Sequence, residues 1–126
     1  MKPEALHRLF AEACEHCYIG MACVHGRPYP EHPIPYDINC GFCGEWAAYV
    51  CERLPRARVF WLDELTMNRS VRTREDVLLA HCVVRYRGRL YDAETFAGVR
   101  FWYQIPAYKN RNKSREQVLK IKEVEE

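Results

Sequence analysis

The chain has 126 residues, of which 48% are hydrophobic, and a formal charge of +2 at pH 7. This length suits a single compact domain over residues 1–126, and the apolar content excludes a disordered chain. No apolar run approaches the ~20 residues of a membrane-spanning helix, and the N-terminal residues show no signal-peptide core. We therefore expect a cytoplasmic protein with no membrane partner, and the sequence leaves its oligomeric state open.

Seven cysteines are many for a chain of this size, and their number is odd. In a reducing compartment they are expected to be thiols or metal ligands rather than disulfides. Their positions therefore direct the search for a site.

The first half of the chain predicts two helices separated by a proline-rich segment. Residues 3–19 carry one apolar stripe and predict a packing helix that opens with Pro3. The four prolines of residues 26–38 exclude helix and central strand, so this segment is expected to run extended over the surface. It is either a wall of a substrate groove or a plain connecting loop.

The most informative stretch runs from Asn39 to Leu54. Small residues lead into a helical pattern that Pro55 ends, with Trp46 as its first large apolar residue. Cys43 therefore falls at or just before the first helical turn. Unpaired backbone N–H groups and the helix dipole favour an anion there, so the thiol of Cys43 is predicted to have a lowered pKa.

The second half of the chain predicts a small sheet and a terminal helix. Residues 57–62 indicate a buried strand, residues 63–76 a helical turn and a loop, and residues 77–94 two strands joined at Arg87 and Gly88. Residues 99–105 suggest a further strand. Residues 114–126 predict a helix that Ser114 and Gln117 cap.

The predicted hairpin brings three titratable residues onto one face. If Arg87 and Gly88 are the two turn residues, His81 lies opposite Glu94 and diagonal to Asp92. Diagonal neighbours lie roughly 7 to 8 Å apart at the backbone, within reach of a histidine side chain. A carboxylate there can fix the tautomer of the histidine while the other ring nitrogen faces a nucleophile. A three-residue loop would shift the register and take Asp92 off this face.

The order of Cys43, His81 and Asp92 resembles that of the papain-like and transglutaminase-like thiol enzymes. In these enzymes a cysteine opens a helix, a histidine lies on a following strand and an aspartate on the next. The resemblance covers roughly Asn39 to Asp92 and rests on the motifs Cys43-Gly44-Glu45-Trp46-Ala47, His81-Cys82-Val83-Val84 and Leu90-Tyr91-Asp92. It implies an α+β domain whose nucleophile helix packs on a mainly antiparallel sheet.

By residue, the resemblance implies Cys43 as nucleophile, His81 as general base and then acid, and Asp92 as the orienting group. The aromatic residue follows Cys43 by three positions rather than one, which favours the transglutaminase-like variant and keeps Cys40 as an alternative nucleophile. Glu94 is an alternative orienting residue. Backbone N–H groups near Cys43, together with Asn39, are the candidates for binding the oxyanion.

These residues predict a cysteine hydrolase or acyltransferase that passes through an acyl-enzyme. Its partner would be a peptide or protein substrate carrying an amide, and no cofactor is required. The sequence does not distinguish hydrolysis from acyl transfer.

A zinc site is the competing interpretation. Two CxxC pairs could supply four thiolates to a structural zinc, in an interaction module rather than an enzyme. Cys23 and His25 offer further ligands. A four-cysteine site would also bind Cys43 and leave no free thiolate, so the two interpretations largely exclude each other. The four proposed zinc ligands are Cys14, Cys17, Cys40 and Cys43.

A basic cluster over residues 109–115, extended by Lys120 and Lys122, suggests a phosphate contact. Four glutamates between residues 116 and 126 offset this charge. Nucleic acid is therefore not favoured as a partner.

Overall fold

A computed structural model describes residues 1–23, 30–62, 81–110 and 113–125 of the chain. Within these ranges the fold is α+β with an antiparallel sheet, as predicted, and it contains five α-helices. None of these helices is long and apolar enough to cross a membrane. The helices are α1 (Pro3–Ala22), α2 (Pro35–Asn39), α3 (Cys43–Arg53), α4 (Pro106–Lys109) and α5 (Arg115–Glu125), and the strands are β1 (Arg58–Trp61), β2 (Cys82–Tyr86) and β3 (Arg89–Tyr91).

The predicted stripe of α1 is its buried face, and it packs against α3. Phe10 is fully buried at this contact, with its ring 5.3 Å from the ring of Trp46. The indole N–H of Trp46 donates to the carbonyl oxygen of Phe10 over 3.3 Å. Because a buried indole N–H needs an acceptor, this bond fixes how α3 lies on α1.

The sheet has the order β1-β2-β3, with antiparallel neighbours. Tyr86 pairs with Arg89, so Arg87 and Gly88 form the two-residue turn that the sequence predicts. Both turn residues have positive φ, 49° and 76°, as a type I′ hairpin turn requires. The predicted register is therefore confirmed, although His81 lies just before β2 and Asp92 just after β3.

Two apolar clusters cover the two faces of the sheet. The larger one joins α1 and α3 to the face of Cys82 and Val84. The smaller one lies on the opposite face and is formed by Leu62, Val83, Leu90 and Ile105. The site residues lie at one end of this sheet, where β2 begins and β3 ends.

The prediction that the proline-rich segment excludes helix is wrong at its end, where α2 begins at Pro35. Proline is tolerated at the first position of a helix, where its missing N–H would have no helical partner. The carboxylate of Asp37 accepts the backbone N–H of Ile34 over 2.7 Å and so caps this start. Residues 24–29 lie outside the described residues.

Two strand predictions need correction. Strand β1 is not buried: it lies at an edge of the described sheet, and Val59 and Trp61 are 41% and 42% exposed. Residues 99–105 do not form a strand, since only Val99 forms a bridge, to Leu90, and Trp102–Gln104 is a 3₁₀ turn. The side chain of Gln104 accepts the N–H of Phe101 over 3.1 Å, which favours a turn over pairing.

The predicted cap of the terminal helix is confirmed. The N–H of Ser114 donates to the Gln117 side chain over 2.8 Å, and the N–H of Gln117 donates to the Ser114 hydroxyl over 3.2 Å. This reciprocal pair is a capping box. The turn and loop predicted for residues 63–76, and the start of the strand at residues 77–80, lie outside the described residues.

Two glycines with positive φ allow a matched test of packing beside the site. A Cβ at Gly98 would lie 2.7 Å from a ring carbon of the buried Tyr91, whereas a Cβ at Gly88 would meet no atom within 4 Å. Both alanine variants carry the left-handed backbone cost of about 1–2 kcal/mol, and only Gly98→Ala adds a steric cost of about 1–3 kcal/mol. Chemical denaturation should therefore show a larger loss of stability for Gly98→Ala, and equal losses would contradict this packing.

Candidate functional site

Cys43 is the first residue of α3, as its position in the sequence predicts. Its half-buried sulfur accepts the backbone N–H of Cys82 over 3.4 Å, and the N–H of Gly44 also bonds to it. The thiol therefore lies between the first turn of a helix and the start of β2. The helix start and the strand each supply N–H donors that stabilise a thiolate.

His81 and Asp92 form a buried pair beside this thiol. His81 Nε2 lies 3.1 Å from Asp92 Oδ2, and the two side chains are 4% and 1% exposed. The side chain of His81 also hydrogen-bonds to Cys43. Because Nε2 faces the carboxylate, Nδ1 is the ring nitrogen left for the sulfur.

The pKa values of Cys43 and His81 shift in opposite directions. Burial opposes both ions, but the hydrogen bond to His81, together with the N–H of Cys82, lowers the pKa of Cys43 below its usual 9.0. Burial likewise opposes the imidazolium, yet Asp92 and Cys43 raise the pKa of His81 from 6.5 to about 9. Both shifts favour the thiolate and the imidazolium over the two neutral groups.

The structure places Asp92, rather than Glu94, against the histidine. The second oxygen of Asp92, Oδ1, accepts the Thr95 hydroxyl over 2.8 Å and the Glu94 backbone N–H over 2.9 Å. These two bonds turn Oδ2 toward His81. Thr95 therefore orients the carboxylate that orients the imidazole.

Asn39 and Glu94, the candidates for the oxyanion and for the alternative orienting role, contact each other. Asn39 Nδ2 donates to Glu94 Oε1 over 2.8 Å, and Lys122 Nζ lies 3.4 Å from Glu94 Oε2. Burial raises the pKa of Glu94, although Asn39 and Lys122 oppose that effect. The side chain of Glu94 thus faces α2 and α5 rather than the imidazole.

Cys40 does not share the environment of Cys43. Desolvation raises the pKa of the Cys40 thiol, and its hydrogen bond to Tyr36 offsets that effect only in part. Cys40 is also the C-cap residue of α2 and precedes the first turn of α3. The geometry therefore favours Cys43 as the nucleophile.

Two of the four cysteines in the zinc interpretation lie on α1, and the other two lie at the end of α2 and the start of α3. Cys14 and Cys17 are buried in α1, and burial raises their pKa values to about 11 and about 12. Among the residues that the structure describes, no group of three or more His, Cys, Asp or Glu side chains is arranged to hold a metal ion. Cys23 is exposed, and His25 lies outside these residues. The zinc site stays a prediction of the sequence.

Three cations of the basic cluster near the C-terminus bind other residues of the chain. Arg115 binds the buried carboxylate of Asp37 through Nε and a terminal nitrogen, over 2.7 and 3.1 Å. Lys113 donates to Asn110 over 3.1 Å, and Lys122 pairs with Glu94. Intramolecular contacts thus occupy these three cations.

Sequence reasoning missed the residues that support the site. The N–H of Cys82 bonds to Cys43, and Lys122 of α5 pairs with Glu94, through long-range contacts that no local pattern shows. The turn that contains Thr95 could have been predicted, since an aspartate commonly accepts the backbone N–H two residues on, as Asp92 does from Glu94.

Comparisons of the chain with protein-family models, with curated proteins and with solved structures gave no match. The assignment of a function therefore rests on the geometry of the site.

The lowered pKa of Cys43 predicts selective alkylation. At about pH 6 an unperturbed thiol is almost fully protonated, so iodoacetamide should modify Cys43 before the other cysteines. Asp92→Asn removes the negative charge beside His81 and should slow this reaction at least about tenfold. Peptide mass spectrometry of limiting labelling reactions measures both effects.

Cys40→Ser is the matched control and should leave the labelling of Cys43 unchanged. Joint protection of Cys14, Cys17, Cys40 and Cys43 until a chelator is added would contradict the thiolate and support the zinc site.

Proposed function

We propose that the protein is a cysteine hydrolase or acyltransferase with Cys43, His81 and Asp92 as its catalytic groups. The observation that carries the proposal is the continuous contact from the Cys43 thiol through the imidazole of His81 to the carboxylate of Asp92. A nucleophile, a base and an orienting group in contact are what acyl transfer to a thiol requires. This arrangement corresponds to the papain-like and transglutaminase-like order of residues.

In the first step the thiolate of Cys43 attacks the carbonyl carbon of an amide or ester. The carbonyl oxygen becomes an oxyanion, for which the N–H groups at the start of α3 are the nearest helical donors. The imidazolium of His81 then gives its proton to the leaving amine or alcohol as the carbon–heteroatom bond breaks. The products are the free leaving group and a thioester on Cys43.

In the second step the neutral imidazole of His81 takes a proton from water or from an acceptor amine. The activated group attacks the thioester carbonyl, and the sulfur of Cys43 leaves as a thiolate. Asp92 stabilises the imidazolium that forms in this step without taking its proton. Water gives hydrolysis and an amine gives acyl transfer, so the same residues support both outcomes.

The expected substrate is a peptide, an isopeptide or a glutamine side-chain amide. This chemistry uses a thiol and an imidazole alone and needs neither a metal nor an organic cofactor.

An activated ester tests the catalytic roles before the natural substrate is known. We expect p-nitrophenyl acetate to give a burst of p-nitrophenolate as Cys43 is acylated. Cys43→Ala should abolish the burst, and His81→Ala should slow acylation at least about a hundredfold because the thiolate loses the imidazole that stabilises it. Cys51→Ala, which removes a half-buried thiol elsewhere in α3, is the matched control. An equal burst in Cys43→Ala would contradict the proposal.

The two pKa shifts predict a bell-shaped pH profile for acylation. The rate should rise as Cys43 loses its proton, below the usual thiol pKa of 9.0. For an amide substrate, whose leaving amine needs a proton from His81, the rate should fall as the pH passes about 9, where His81 loses that proton. Stopped-flow measurement of the acylation rate against pH tests both limbs. A single rise near the ordinary thiol pKa would contradict the ion pair.

A further inference from the structure

Glu94 contacts three parts of the molecule that are distant in the sequence or lie on different elements. It is 3% exposed, accepts the carboxamide N–H of Asn39 over 2.8 Å and pairs with Lys122 of α5 over 3.4 Å. Its backbone N–H donates to the carboxylate of Asp92 over 2.9 Å. One residue therefore contacts the histidine partner, the segment before the nucleophile and the terminal helix.

The contact with Asn39 reaches Cys43 through a short, hydrogen-bonded turn. Asn39 is the last residue of α2, and Cys43 is the first residue of α3. Between them the N–H groups of Gly41 and Phe42 both donate to the carbonyl oxygen of Ile38, over 3.2 and 2.7 Å. Since these bonds limit the freedom of the turn, a group that fixes Asn39 also fixes the start of α3.

Glu94 is the group that fixes the carboxamide of Asn39. The other end of this amide, Oδ1, is buried and has no hydrogen-bond partner among the described residues. Removing the acceptor at Glu94 would therefore leave both Nδ2 and the buried Oδ1 of Asn39 without a hydrogen bond among the described residues. Unpaired buried polar groups are costly, so the segment is expected to move to find new partners.

We propose that Glu94 is a positioning residue, which holds the nucleophile segment against the His81–Asp92 pair through Asn39. This inference rests on the proposed function, since it concerns the alignment of the same reacting groups. Glu94 touches none of those groups with its side chain. Glu94 acts on the distance between the Cys43 sulfur and the imidazole of His81.

The first test compares Glu94→Ala, Glu94→Gln and Asn39→Ala by iodoacetamide alkylation of Cys43 over a range of pH. A looser contact with His81 should raise the pH midpoint of alkylation in Glu94→Ala by about one unit, and the rate at pH 6 should fall about tenfold. Glu94→Gln keeps an acceptor for Asn39 and should restore most of the rate. Asn39→Ala should match Glu94→Ala, and the double variant should lose no more than either single variant.

Glu52→Ala is the matched control, because Glu52 is an exposed carboxylate on α3 that pairs with Arg53. It should leave the pH profile unchanged. All rates are measured well below the melting temperature of each variant, which circular dichroism gives. If Glu94→Ala does not fold, Asn39→Ala carries the comparison.

A role limited to stability would lower the melting temperature and leave the pH profile of folded Glu94→Ala at the wild-type values, which would overturn the proposal. Additive losses in the double variant would also overturn it. Failure of the proposed function looks different: wild-type Cys43 would itself alkylate only near the ordinary thiol pKa and would release no burst from p-nitrophenyl acetate.

Discussion

A buried imidazolium is stable only when negative charge lies against it, and His81 lies between two groups that carry negative charge when ionised. Transfer of an ion from water to a protein interior costs several kcal/mol unless hydrogen bonds and a counter-charge offset it. The carboxylate of Asp92 lies 3.1 Å from the ring, and the thiol of Cys43, at the start of α3, supplies a second negative charge when it ionises. The hairpin, the helix start and the packing of α3 on the sheet all serve to bring these three groups together.

The sequence predicts the parts of this site that depend on local patterns. The stripe of α1, the start of α3 at Cys43, the turn at Arg87 and Gly88 and the capping box at Ser114 are each set by residues within one or two turns of chain. The register follows from the hairpin turn, and the register in turn brings His81 near Asp92. Short-range rules therefore account for the His81–Asp92 pair and for the place of Cys43 at a helix start, whereas the contact between them depends on the packing of α3 against β2.

The rest depends on contacts between distant residues. Asn39 and Glu94 are 55 positions apart, and Arg115 and Asp37 are 78 positions apart. The sequence does not show that Asn39 will meet Glu94 or that Arg115 will meet Asp37, because only the fold brings these residues together. The exposure of β1 was missed for a related reason, since an apolar run predicts a strand without showing whether a layer covers it. Two cations of α5 that the sequence suggests as a phosphate contact, Arg115 and Lys122, therefore pair with carboxylates of the chain.

Nitrogen NMR of histidine-labelled protein, in the wild type and in Cys43→Ser, tests the central claim most directly. His81→Ala identifies the signal. If His81 lies between two negative charges, its imidazole titrates at about 9 in the wild type. Its pKa then falls in Cys43→Ser, where the thiolate is replaced by a neutral hydroxyl. Titration at the ordinary histidine pKa in both proteins would contradict the account.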